Sequence, residues 1–149
     1  MNNFLNVVSV RLVQGMQIMS EKPVRTPEDA VELVGKELCE MDREVVCVIN
    51  LQADNKPINC HFASVGGLSQ SQIYPREIFK ASILSNAAYI ILMHNHPSGS
   101  VCPSKEDNEF TDRMAEACKL MGIPLLDHII VGTTPSNSFS YLAAEMLHQ

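Results

Sequence analysis

Apolar and polar positions change their period several times along the chain, and each change marks an element. Val8, Val10 and Leu12 stand against Ser9 and Arg11, a loose alternation that predicts a first strand over residues 7–13. Residues 16–25 lose the pattern and read as a connection. From Thr26 the period lengthens: Val31, Val34, Leu38 and Met41 fall on one helical face. Thr26 as N-cap, Pro27 at the first helical position and Glu28-Asp29 in the first turn give that helix its start, and Asp42-Arg43 closes it. Glu44 to Leu51 and Ile58 to Val65 are strands joined by the turn Ala53-Asp54-Asn55-Lys56-Pro57, hence a hairpin. Gly66-Gly67 marks a loop or a close backbone approach. Pro75 opens a helix from Arg76 to about Ser85. The longest apolar run, Ala87 to Met93, is short and bounded by polar residues, so it predicts a buried strand. A helix over Lys105–Met121 presents Phe110, Met114, Ala117 and Met121, with Gly122 just past its end. Leu125 to Val131 is the last strand, and the tail from Ser138, with Leu142, Met146 and Leu147, predicts a short helix. Strands and helices mixed in this order, with one hairpin and helical crossovers, predict the α/β class: a three-layer α-β-α sandwich around a mixed sheet.

The totals narrow the function classes. At 149 residues the chain is expected to form one domain, 1–149, with a real core, and neither repeats nor a linker interrupt it. The formal charge is −6 and the eleven Lys and Arg are scattered with no two adjacent, so no basic run follows a phosphate backbone and a nucleic-acid partner is not expected. Five cysteines without a Cys-x-x-Cys argue against a disulfide framework and a zinc ribbon, and fit a reducing cytosol. The N-terminus lacks a basic region followed by a sustained apolar one, and no apolar run approaches a membrane span, so the expected location is cytoplasmic. Nothing in the composition speaks against a homo-oligomer.

The chemistry gathers in His94-Asn95-His96-Pro97-Ser98-Gly99 and the stretch to Asp107. His94 and His96 sit two apart at a strand end, where extended backbone points both imidazoles to one side and Asn95 away. Pro97 and Ser98-Gly99 turn the chain. Ser104 then reads as an N-cap with Asp107 as its capping-box partner. Two neutral imidazoles and a carboxylate can thus converge, and three N/O ligands with a fourth position left for water make the catalytic zinc arrangement. The plainer alternative is a polar strand-to-helix loop with Asp107 merely capping. His-Glu-x-x-His is absent, which excludes a helix-borne zincin, and His-x-Glu with Pro-Cys-x-x-Cys is absent, which excludes the zinc deaminases.

His94-x-His96, seven residues, Ser104, two residues, Asp107 resembles the JAMM metal-binding signature of JAB/MPN metalloproteases. The fuller text, Pro75-Arg76-Glu77, His94-Asn95-His96-Pro97-Ser98-Gly99, Pro103-Ser104-x-Glu106-Asp107 and Asp127-His128-Ile129-Ile130, is similar to the RadC-type branch. The resemblance runs from about Arg43 to Gly132, with a JAMM core over 43–132. Residues 1–41, an expected strand and helix, look like the shorter RadC-like proteins, without the helix-hairpin-helix region of RadC proteins proper. The resemblance implies a JAB/MPN fold akin to the cytidine deaminase sandwich, Zn²⁺ held by His94, His96 and Asp107, and hydrolysis of a peptide or isopeptide bond in a peptide or protein substrate. It also implies roles for Glu44 and Ser104: Glu44 as the proton acceptor for the attacking water, Ser104 as a donor to the developing oxyanion. Two other classes stay open, a metal-binding scaffold without turnover and a RadC-related DNA-repair factor; the charge and the absent helix-hairpin-helix count against the latter.

Each residue has a plainer role as well. Glu44 could be a surface Glu after a helix end. Glu77, its competitor, fits a helix salt bridge better. Ser104 could cap and donate at once. Cys102, two residues before Ser104, fits an incidental loop thiol better than a ligand, and His128 a hydrogen-bonded strand histidine better than a ligand.

Overall fold

A computed structural model describes residues 3–65 and 73–148. In chain order the elements are α1 (Pro27–Cys39), β1 (Val45–Leu51), β2 (Pro57–Val65), α2 (Pro75–Leu84), β3 (Tyr89–Asn95), α3 (Lys105–Met121), β4 (Leu125–Val131) and β5 (Ser138–Ser140). The strands form one mixed sheet in the order β2-β1-β3-β4-β5. β1 pairs antiparallel with both β2 and β3, β4 pairs parallel with β3, and β5 pairs antiparallel with β4. The parallel pair needs a crossover, and α3 supplies it.

Every residue of β1 is buried, because both faces of the sheet are covered. Val46, Val48, Ile90 and Leu92 face one way and pack with Ile78 and Phe79 of α2 and Phe110 and Met114 of α3. Cys47, Ile49, Ile91 and Met93 face the other way and pack with Val31, Val34 and Leu38 of α1. This is the α-β-α sandwich the periodicity predicts, and the caps act as predicted too. Thr26 with Asp29 and Ser104 with Asp107 each form a reciprocal capping box, and Gly122 ends α3 at φ 71°.

Three expectations need correction. Residues 7–13 form no strand: they have no regular secondary structure and are exposed, Val7 at 98% and Val13 at 85%. Alternation makes a segment able to pair, but a strand needs a ladder, and no strand of the sheet pairs with this stretch. The tail is not a helix either. Ser138–Ser140 pairs with Ile129–Val131 along the edge of β4, and the chain then turns, with Glu145 at φ 57°. The unpaired edge of β4 competes successfully with a short amphipathic pattern of few residues. Finally, β3 begins later than the apolar run and extends through Asn95, because Val46 faces His94 on one side and Val131 faces Asn95 on the other. Gly66-Gly67 lies outside the described residues.

Candidate metal centre

β3 carries the first donor, and its ladder decides where the second one points. His96 lies one residue past β3, yet its N–H still donates to the Val131 carbonyl at 2.8 Å, so the extended register persists. His94 and His96 therefore project to the same side, with their Nε2 atoms 3.0 Å apart. The chain reverses at once: the Gly99 N–H donates to the His96 carbonyl at 3.0 Å with Gly99 at φ +91°, a conformation that favours glycine. Gly132 lies against this turn, where an added Cβ would come 2.7 Å from the Gly99 carbonyl oxygen. The close approach of the two loops returns the chain toward β3 and starts α3 beside the histidines.

The capping box then aims the carboxylate. The Ser104 N–H donates to Asp107 Oδ2 at 2.8 Å, and the Asp107 N–H donates to Ser104 Oγ at 3.0 Å. Locked in that first turn, Asp107 places Oδ1 3.3 Å from His94 Nε2 and Oδ2 3.1 Å from His96 Nε2. One ligand atom each from His94, His96 and Asp107 lie within 4.8 Å of one another, and all three residues are at least nine-tenths buried. Burial is the largest influence on Asp107 and opposes its ionisation, but the contacts with His94, His96 and the Ser104 amide outweigh it and hold the carboxyl well below the usual range. The His96 imidazole is pushed up, chiefly by Asp107, with burial opposing and the Ser100 carbonyl adding to the rise. Two imidazole nitrogens and an ionised carboxylate aimed at one point form a donor set that calls for a positive charge between them, and these ligand types in that number suit a divalent metal such as zinc. His96 is also oriented correctly for it, since its Nδ1 faces the Ser100 carbonyl at 2.8 Å and must carry the proton there, leaving Nε2 as the donor atom.

Glu44, just before β1, reaches the same point: its Oε1 is 3.9 Å from His96 Nε2, and the side chain is 29% exposed. It lies at the edge of a cleft of about 320 Å³ whose walls include His96, Pro97, Cys102, Ser104 and Asp107. Ser104 stands exposed at the mouth, its Oγ accepting the cap bond and its own proton left to donate. Glu77 does not line this cleft; it pairs with Lys80 at 3.1 Å and Arg76 at 3.8 Å on the surface of α2. Cys102 lines the cleft but is not among the three clustered donors, and His128 lies behind them, hydrogen-bonded to His94 Nδ1 at 2.7 Å. Burial, its largest influence, pushes the His128 imidazole well below its ordinary value.

Two supports were not legible in the sequence. Asn95, expected only to point away, accepts from the Val45 N–H at 2.7 Å and donates to the Arg43 carbonyl at 2.9 Å. Thr111 donates to the Asp107 carbonyl at 2.7 Å and contacts His128 Nδ1 at 2.6 Å. The i, i+4 spacing of Asp107 and Thr111 on a helix was the only available signal for the second, and nothing local signals the first.

Comparison with known proteins matches residues 24–146 to the family described as RadC-like JAB domain. A UPF0758 protein of Desulforudis audaxviator is 45% identical over 124 residues, 83% of this chain and 53% of that protein. UPF0758 proteins of Caldanaerobacter subterraneus and Rubrobacter xylanophilus are 45% and 46% identical over 109 residues, in each case 73% of this chain and 47% and 48% of the relative. The chain thus spans about half the length of the curated relatives it matches. No helix among the described residues is long and apolar enough to cross a membrane.

Proposed function

The chain belongs to the RadC-like JAB domain family, and on that footing we propose that it is a zinc-dependent hydrolase of the JAMM type, cleaving a peptide or isopeptide bond. The observation that carries this reading is the convergence of Glu44 on the His94, His96 and Asp107 donors, with Glu44 Oε1 3.9 Å from His96 Nε2 at the edge of an open cleft.

Zn²⁺ held by His94, His96 and Asp107 would supply Lewis acidity toward a carbonyl oxygen and bring the acidity of a water to about pH 7. The remaining work falls to side chains of this protein. Glu44 accepts the proton of the attacking water and delivers it to the leaving amine; its side chain is partly exposed, so it can exchange protons with solvent as a proton shuttle must. Ser104 donates its O–H to the oxygen on which negative charge develops, a donation its capping bond does not use up. The first turn of α3 adds the positive end of a helix to the same place. Asp107 is needed as an ionised ligand, and its capping contacts with Ser104 keep it in one rotamer. Exposed Pro97, Ser98 and Glu106 at the rim leave the cleft open to a segment of a larger chain.

Glu44→Gln tests the reading. It keeps shape and one hydrogen bond but removes the proton acceptor, so hydrolysis should fall by about 10²–10⁴-fold with zinc content and folding unchanged. A wild-type protein that binds zinc yet turns over no member of a peptide and isopeptide library would overturn it in favour of a metal-binding scaffold.

A further inference from the structure

We propose that His128 and Thr111 are positioning residues: a one-way hydrogen-bond chain anchored on the Asp107 carbonyl holds the His94 ring with its Nε2 lone pair facing the Asp107 carboxylate. The inference rests on the metal-binding reading above and adds what prepares the ligand for it.

Four contacts make up the chain. Thr111 Oγ1 lies 2.7 Å from the Asp107 carbonyl oxygen and 2.6 Å from His128 Nδ1. His128 Nε2 lies 2.7 Å from His94 Nδ1, and His94 Nε2 lies 3.3 Å from Asp107 Oδ1. A carbonyl oxygen only accepts, so the single hydroxyl proton of Thr111 goes to Asp107. Toward His128 the hydroxyl then accepts, which puts a proton on His128 Nδ1. His128 is fully buried, and among the described residues its ring nitrogens meet Thr111 and His94 and no carboxylate. A neutral ring with Nδ1–H has a lone pair at Nε2, and it accepts from His94 Nδ1–H. His94 Nε2 is left with its lone pair, pointing at Asp107 and at His96 Nε2, 3.0 Å away. The opposite polarity would set two acceptors 2.7 Å apart at Thr111 and Asp107 with nothing to join them, whereas the acceptors that the proposed polarity gathers at His94, His96 and Asp107 are those a bound metal ion would join.

The His128 ring cannot easily turn to escape this polarity. Tyr141 stacks on it at 5.1 Å and 7°, and Phe110 meets it edge-on at 6.0 Å. The Tyr141 hydroxyl is itself tied to Asn108 Oδ1 at 2.7 Å. Asp107 therefore acts twice, its carboxylate as a ligand and its backbone carbonyl as the origin of the His94 tautomer. His96 has its own, separate acceptor in Ser100.

The test uses Thr111→Val, which keeps the shape without the hydroxyl, Thr111→Ser, which keeps the hydroxyl, and His128→Phe, which keeps a stacked ring without an acceptor. Zinc affinity is measured by competition with a chromophoric chelator. It should fall about 10–100-fold in Thr111→Val and His128→Phe, the usual cost of losing a ligand's orienting partner, and recover in Thr111→Ser. Circular dichroism of the zinc-free proteins separates this from failure to fold, and if His128→Phe does not fold the threonine pair decides. Long-range ¹H–¹⁵N spectra of zinc-free wild type, recorded where the imidazoles are neutral, should show Nδ1–H on both His94 and His128. Wild-type zinc affinity retained in folded Thr111→Val, or Nε2–H on His128, would overturn the proposal. Wild type that binds no zinc would sink the functional reading instead, and the spectra would still decide the chain's polarity.

Discussion

Asn95 grips the chain on both sides of Glu44, accepting from the Val45 N–H at 2.7 Å and donating to the Arg43 carbonyl at 2.9 Å. His94 and His96 leave β3 on one side and Asn95 on the other, so three consecutive residues set two candidate ligands and the backbone that carries the candidate proton acceptor. The same carboxamide satisfies a buried peptide group at the start of β1.

Asn95→Ala should therefore act on catalysis and stability but not on coordination. Leaving the Val45 N–H without its partner should cost about 1–3 kcal/mol in urea unfolding. Turnover should drop because Glu44 is no longer held, while zinc content stays at the wild-type level. Loss of zinc in a folded Asn95→Ala protein would contradict this division of labour.

Metal binding should depend on three side chains jointly. Protein purified without chelator should hold about one zinc per chain, with nitrogen and oxygen ligands at about 2.0–2.2 Å by X-ray absorption. The His94→Ala, His96→Ala double variant and Asp107→Asn should each lose it. Equal zinc in the double variant and wild type would refute the site.

The two capping boxes offer an internal control. Thr26→Ala and Ser104→Ala remove the same kind of bond, at 3.1 Å and 3.0 Å respectively, and each should cost about 0.5–2 kcal/mol of stability. α1 packs on the sheet face opposite α3, so Thr26→Ala should leave turnover unchanged. Ser104→Ala should lower it by about 10²–10³-fold if its hydroxyl meets the oxyanion, and hardly at all if it only caps.

Asp127 supplies a pH signature remote from the cleft. Its carboxyl takes the Ser140 hydroxyl at 2.6 Å and the His128 and Leu142 N–H groups at 2.7 and 3.0 Å, fastening the tail to β4. Burial raises its pKa above 3.8 despite these donors. A raised carboxyl pKa means the folded state binds the proton more tightly, so this contribution is full below the ordinary carboxylate pKa and is lost as pH rises through the folded value. Against Asp127→Asn, the wild type should gain relative stability as pH falls into the ordinary carboxylate range; thermal-melt profiles of the two should converge there and separate above it. Parallel profiles across the range would show that Asp127 does not titrate differently in the folded protein.

Much of this molecule was legible one segment at a time. Thr26-Pro27 and Ser104 through Asp107 announce two helix starts because caps are local hydrogen bonds, and Ala87 to Met93 announces a buried strand because burial on both faces leaves no polar position. The spacing of His94, His96 and Asp107 carried the candidate centre for the same reason: a strand end and a first helical turn have fixed side-chain directions. Residues 7–13 and 138–147 depart from what their periodicity predicts because pairing and edge capture are decided by what lies alongside, which periodicity does not contain. Glu44 could be matched to a family pattern but not placed. Its position beside His96 depends on β1 lying next to β3, and on Asn95 reaching across that pair. Thr111 and His128 are ordinary letters in a helix and a strand until α3 crosses over to lay one against the other. Local sequence determined the donors and the elements that bear them. Only the packed sheet decided which groups orient those donors, because a hydrogen bond between residues distant in the chain exists only once the layers have closed.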